Sequence, residues 1–195
     1  MADPAILLLA AGASRRMRGR DKLLEEVDGR PLLARQIEVA RGTGLDLLVA
    51  LPPRPHPRWE HLFGAPAVEV PDAARGMDAS LAAGISALAD RPAVLVLLAD
   101  MPEIETSDLA AVLGARSAHP GSLVWRAVTE DGRPGHPILF DGRLYDALRA
   151  LPGDSGGRSV VASAGERVTL VPTPGGRARL DLDTPEEWEA WRLSR

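Results

Sequence analysis

Residues 5–24 read AILLLAAGASRRMRGRDKLL, and the fold turns on how this stretch is parsed. Its first five residues form an apolar run of the length of one buried strand. The run passes directly into small residues and then into a cluster of positive charge: Arg15, Arg16, Arg18, Arg20 and Lys22. Backbone N–H groups reach phosphate oxygens only where no side chain intervenes, so a strand feeding a small-residue, cationic loop is a common α/β solution for holding phosphate. The stretch predicts a nucleotide triphosphate site at the end of a first strand.

Downstream, Asp28-Gly29-Arg30-Pro31 reads as a turn with proline at a helix start. Leu32, Leu33, Gln36, Ile37 and Ala40 follow at helical spacing until Gly42 and Gly44. Residues 45–51 read as a second strand, ended by PPRPHP, which cannot pair inside a sheet, and residues 67–70 as a weaker third. A loop holding Gly76 leads into a helix around Ala79, where Ala83, Ser86, Ala87 and Leu88 suit close packing. Residues 94–98, an unbroken VLVLL, fit a central parallel strand covered on both faces.

The remaining pattern predicts a helix over 106–118 with Thr106 as its N-cap, strands over 122–128 and 137–140, and a short helix over 141–151. A glycine-rich loop over 153–158 precedes a helical stretch, late strands cover 168–171 and 178–182, and a last helix opens at Thr184-Pro185. Strands and helices alternating in this way build a Rossmann-like, doubly wound, mainly parallel α/β sheet, expected as a single domain over residues 1–195. Such sheets bind ligands at the carboxyl ends of their strands. Trp59, Trp188 and Trp191 read as packing residues.

A net charge of −4 over 195 residues argues against nucleic acid or an anionic membrane as partner. The absence of cysteine excludes disulfides, thiolate metal sites and a cysteine nucleophile. No apolar run approaches the roughly 18 residues of a membrane span. The charges near the N-terminus follow the apolar run rather than precede it, so the cytoplasm is the expected location. Of 23 basic residues only Lys22 is lysine, and a compact ammonium is not interchangeable with a guanidinium where it must reach a phosphate oxygen.

Three features fall at predicted strand ends: the loop 9–22, the loop 71–80, and Asp100. A carboxylate just beyond a buried strand suits Mg²⁺, which prefers hard oxygen ligands and is shared with substrate phosphates. Asp183 is a second candidate ligand and Asp181 a third. Arg16 and Lys22 are placed to neutralise charge on a leaving pyrophosphate. The position of Lys22 between Asp21 and Leu23 weighs sharply against a Walker A loop, and the single Gly12 near the required glycines weighs as sharply against a dinucleotide fingerprint.

The motif Leu9-Ala10-Ala11-Gly12-x-Ser14-x-Arg16-Met17, with Lys22 six places after Arg16, resembles the MobA-like NTP transferases that include molybdenum cofactor guanylyl- and cytidylyltransferases. The resemblance continues through Gly76-Met77-x-x-Ser80-Leu81-x-x-Gly84, Ala99-Asp100-Met101-Pro102, Gly135-His136-Pro137, Gly153-Asp154-x-Gly156-x-Arg158 and Asp181-x-Asp183-Thr184-Pro185. LAAG rather than LAGG, with ADMP and GHP, is more similar to the cytidylyltransferase branch.

This resemblance implies a nucleotide-diphospho-sugar transferase-like fold and transfer of CMP from CTP to a phosphorylated acceptor, molybdopterin first, with release of pyrophosphate. It implies that the main chain of Leu9, Ala10, Ala11 and Gly12 reads the base and that Arg16 and Lys22 bind the triphosphate. It further implies that Ser80 lies near the nucleotide and that Asp100 and Asp183 hold Mg²⁺. His136, Asp154 and Arg158 are acceptor-side candidates, His136 competing with a structural turn role and Asp154 with simple pairing to Arg158. Transient contact with a molybdoenzyme is compatible with this role, whereas Arg15, Arg18 and Arg20 are peripheral to it. Family members usually carry glycine where Arg18 stands, so a positive φ there would strain the loop. The rival readings are the same nucleotide site with a sugar or polyol phosphate acceptor, and an oxidoreductase or non-catalytic maturation protein on the same scaffold.

Overall fold

A computed structural model of the chain describes residues 2–153 and 157–195. Its centre is β1 (Ala5–Leu9), whose five residues are all buried. Successive strand side chains point to opposite faces. Ile6 and Leu8 therefore enter one core with Leu33, Ile37 and Trp188. Ala5, Leu7 and Leu9 enter the other with Leu81, Ile85 and Phe140. A strand apolar on both faces requires helices on both sides, and the chain supplies them.

β2 (Glu26–Val27) and β3 (Arg30–Pro31) form a small antiparallel hairpin through the Asp28-Gly29 turn, both turn residues having positive φ. α1 (Leu32–Arg41) follows, then β4 (Asp46–Leu51), β5 (Ala67–Glu69), α2 (Met77–Ala87) and β6 (Ala93–Leu98). The second half runs α3 (Thr106–Ala118), β7 (Val124–Val128), β8 (Pro134–Asp141), α4 (Tyr145–Arg149), α5 (Arg158–Ala164), β9 (Val168–Pro172) and α6 (Pro185–Leu193).

The seven-stranded sheet has the order β5-β4-β1-β6-β8-β7-β9. β1 pairs in parallel with β4 on one side and with β6 on the other, so the strand order reverses at β1. That reversal opens a crevice beyond the carboxyl ends of β1 and β6. β8 is the antiparallel member, pairing with both β6 and β7, so VLVLL in β6 has a parallel neighbour on one side only. α2 packs so closely on β1 that a Cβ on Gly84 would overlap the Leu7 side chain. No helix among the described residues is long and apolar enough to cross a membrane.

Two local expectations are corrected. Residues 178–182 form no strand; Arg177–Arg179 is a 3-10 turn and the chain beyond it runs irregularly toward α6. The alternating apolar pattern of ARLDL serves instead to bury Ala178 and Leu182 while projecting charge between them. The N-cap of α3 is Glu105 rather than Thr106, in a reciprocal capping box with Asp108. Thr106 instead donates its Oγ1 hydroxyl to the Val39 carbonyl at 2.8 Å, tying α3 to α1.

Candidate active site

The loop after β1 carries the first half of the site. Ala10 N–H donates to Ala50 O at 2.9 Å and Ala99 N–H to Leu9 O at 3.1 Å, continuing the β1 ladders into the loop. The N–H groups of Ala11, Gly12 and Ala13 make no hydrogen bond among the described residues. The part of this loop whose N–H groups are free to meet a ligand is thus Ala11 to Ala13, while Leu9 and Ala10 are largely committed to the scaffold. Together with Ser80 from α2, Arg15, Arg16 and Lys22, this segment lines a cleft of about 380 Å³.

Lys22 is largely buried and lines the cleft together with Asp100 and Asp183. Its ammonium donates to Asp183 Oδ1 at 2.7 Å and to Asp100 Oδ2, and Arg16 pairs with Asp183 from the solvent side. Burial by itself would lower the Lys22 pKa, but the charges and hydrogen bonds of Asp100 and Asp183 outweigh it and raise it. The same pairing holds the Asp183 carboxyl below its ordinary value against the desolvation that pushes it up. Among the described residues Asp181 pairs with no such cation; burial and the charges of Asp100 and Asp183 raise it.

Ligand atoms of Asp100, Asp181 and Asp183 lie within 4.8 Å of one another. Asp100 Oδ1 is buried with no hydrogen-bond partner among the described residues. A buried carboxylate oxygen left unpaired is costly, and a hard cation shared by three carboxylates satisfies it. These residues fit a divalent ion. Asp183 is available for it because helix capping falls to its neighbours: Thr184 caps α6, and Glu187 Oε2 accepts the main-chain N–H groups of both Asp183 and Thr184 at 2.8 and 2.9 Å.

A second cleft of about 550 Å³ adjoins the first, sharing Met77, Leu98 and Asp181 with it. Its floor is His136 and Ile138 of β8, and Arg126, Arg158 and Arg179 converge on it from three elements. Burial lowers the Arg126 pKa, and the charges of Arg158 and Arg179 lower it further, the signature of like charges facing one another. His136 is depressed to about 4 by burial and then by the Arg126 guanidinium, so it is neutral near pH 7. Arg126 and Arg179 carried no motif; only their shared pocket identifies them. Of the acceptor-side candidates, His136 and Arg158 share this cleft, whereas Asp154 lies outside the described residues.

Arg18 has φ 53°, so it occupies the left-handed conformation that a glycine would adopt without strain. It is exposed and pairs with Glu186 at 2.6 Å, and Arg20 pairs with Glu25 at 3.2 Å, both away from the clefts. Arg15, expected with them at the periphery, is among the residues lining the 380 Å³ cleft.

Residues 6–168 match the family model of the MobA-like NTP transferase domain. The molybdenum cofactor guanylyltransferase of Pseudomonas paraeruginosa is 34% identical over 191 residues, covering 93% of this chain and 91% of that protein. That of Ectopseudomonas mendocina is 35% identical over 116 residues, 60% of this chain and 57% of that one. Against several curated relatives the chain spans only 25–57% of their length. Among solved structures, Rv0371c of Mycobacterium tuberculosis superposes with a TM-score of 0.85 at 26% identity, covering 99% of this chain and 100% of that one. The same mycobacterial protein has also been solved as a complex with manganese, with a TM-score of 0.81 at 24% identity and the same coverage.

Proposed function

The chain belongs to the MobA-like NTP transferase family, and from that premise we propose that its 195 residues act as one nucleotidyltransferase domain moving CMP from CTP to a phosphorylated acceptor. The observation that carries this reading is the adjoining pair of clefts, one lined by the loop after β1 and the other by three arginines, with the carboxylate trio where they meet. A phosphate oxygen of the acceptor attacks the α-phosphorus of the nucleotide. The bond from that phosphorus to the β-phosphate's bridging oxygen breaks, and pyrophosphate leaves with the electron pair. Little covalent work is left to the protein, whose task is positioning and charge neutralisation.

In this reading the free N–H groups of residues 11–13 meet the nucleotide, and Arg16 and Lys22 take charge from the leaving phosphates. Lys22 is already beside the carboxylates, so it has only to exchange partners within the cleft. Asp100, Asp181 and Asp183 would hold Mg²⁺, which supplies neutralisation of the phosphate oxygens. Arg126, Arg158 and Arg179 draw in the acceptor's phosphate, for which molybdopterin is the acceptor that the family resemblance favours. Neutral His136 accepts or donates a single hydrogen bond there and carries no charge. The reading carries with it a cytoplasmic location, where nucleoside triphosphates are kept.

The choice of CTP follows LAAG, the form of the motif that is more similar to the cytidylyltransferase branch. GTP is the second reading, favoured by the name of the 34% identical relative. Thermal-shift titration with CTP, GTP, ATP and NADPH, each with Mg²⁺, tests both. Stabilisation of about 2.7 kcal/mol is expected when CTP reaches a hundred times its Kd. A larger shift with GTP would reassign the base, and a response to NADPH alone would overturn nucleotidyl transfer.

A further inference from the structure

Arg58 lies in the 3-10 turn Pro57–His61, after β4, in a segment that carries no nucleotide-binding motif. It is 1% exposed and lines neither cleft. Its guanidinium nevertheless commits all three nitrogens to the loop after β1. Nε donates to Asp21 Oδ2 at 2.7 Å, Nη2 to Asp21 Oδ1 at 2.6 Å and to Ser14 Oγ at 3.0 Å, and Nη1 to the Ala10 carbonyl at 2.6 Å. These partners are the beginning, the middle and the end of one loop.

Burying a guanidinium is costly even when it is paired, and a well-packed apolar residue would often be no worse for stability. The charge at this position therefore needs another explanation, and its partners provide one. Ser14 has φ 49°, a left-handed conformation that a non-glycine residue keeps only where its surroundings over-determine it. Those surroundings are Arg58 Nη2, the Lys22 main-chain N–H at 3.3 Å and the Asp21 carboxylate at 3.3 Å. Asp21 also accepts the Leu23 N–H at 3.0 Å and immediately precedes Lys22. Burial pushes the Asp21 carboxyl up, but the Arg58 hydrogen bond and charge prevail and hold it below its ordinary value. On its other side Arg58 donates its own N–H to His56 Nδ1 at 3.3 Å, and burial followed by the Arg58 charge depresses that imidazole.

We propose that Arg58 is a positioning residue for nucleotide binding: it preforms the loop so that the free N–H groups of residues 11–13 and the Lys22 ammonium are presented together before the nucleotide arrives. The inference rests on the nucleotide reading of that cleft. Arg58 touches no substrate, and its effect is transmitted through Ala10, Ser14 and Asp21.

Arg58→Lys keeps the charge and loses the fork. Two measurements on the full chain decide its role: pyrophosphate release against CTP concentration with Mg²⁺, and amide hydrogen exchange across residues 10–23 with and without CTP. Saturating nucleotide should restore the loop, so KM for CTP rises roughly tenfold while kcat stays within about twofold. Exchange should quicken in residues 10–23 alone and return to the wild-type level with CTP. Unchanged KM and unchanged exchange would overturn the inference. So would a fall in kcat at constant KM with exchange quickened throughout, which marks a smaller folded fraction. If Arg58→Lys does not fold, Asp21→Asn releases the same loop from the other side and must give the same pattern in smaller degree. If the wild-type chain does not bind CTP, the functional reading fails, and exchange in the absence of nucleotide alone decides whether Arg58 orders the loop.

Discussion

Gly135 faces Ala178 so closely that a Cβ built on Gly135 would stand 2.6 Å from the Ala178 carbonyl carbon and overlap its oxygen. The contact lets residues 177–183 lie against β8, which carries Arg179 to the cleft lined by His136 and Asp181 and Asp183 to the carboxylate trio. Gly135→Ala meets backbone rather than a yielding side chain. We expect a stability loss of about 1–3 kcal/mol in urea unfolding. Displacing the carboxylates by about 1 Å should also lower turnover by up to roughly 100-fold.

Asp100→Ala removes the carboxylate that pairs with Lys22 and carries the unpartnered buried oxygen. Pyrophosphate release should fall by at least roughly 10²–10³-fold, with far-UV circular dichroism unchanged. Release at the wild-type rate would remove Asp100 from the reaction.

Arg18→Gly relieves a left-handed residue whose strain is about 1–2 kcal/mol and gives up an exposed pair with Glu186 worth about 0–1 kcal/mol. The variant should melt about 2–4 °C higher for each kcal/mol gained, with turnover unaltered. A lower melting temperature would show that the Glu186 pair outweighs the strain.

Arg126→Leu takes one of three mutually repelling guanidiniums out of the cleft proposed to receive the acceptor. Thermal stability should hold or rise. The acceptor KM should increase about 10–100-fold, the loss of a hydrogen bond to a charged group, while CTP affinity measured by calorimetry stays constant.

His136 links stability to pH. Its folded pKa of about 4 lies below the unfolded value of 6.5, so between those limits the unfolded chain binds the extra proton. Its contribution is fully present above pH 6.5 and is lost as pH falls toward 4. Comparing denaturant midpoints of wild type and His136→Gln from pH 7 to pH 4 should show a shallower slope in the variant.

Much of this was legible in the chain itself. The apolar runs of β1 and β6 required cover on both faces, the glycines and prolines bounded α1 and α6, and the small-residue loop leading to Lys22 marked the crevice; each is a local property of a few neighbouring residues. Residues 178–182 misled because alternation there reports one buried side of an irregular segment as readily as a strand.

What only the tertiary structure decided were relations between distant residues. Arg58 gave no local signal because its partners lie 37 and 44 or more positions away, and its role exists only where β4 brings its turn beneath the loop. Arg126 and Arg179 were two among many arginines until β7 and the 3-10 turn at Arg177–Arg179 set them around one cleft with Arg158. Sequence carries the period and chemistry of each element, whereas a site is made by side chains that converge from separate elements. That convergence depends on packing distances such as the one between Gly135 and Ala178, which no local pattern encodes.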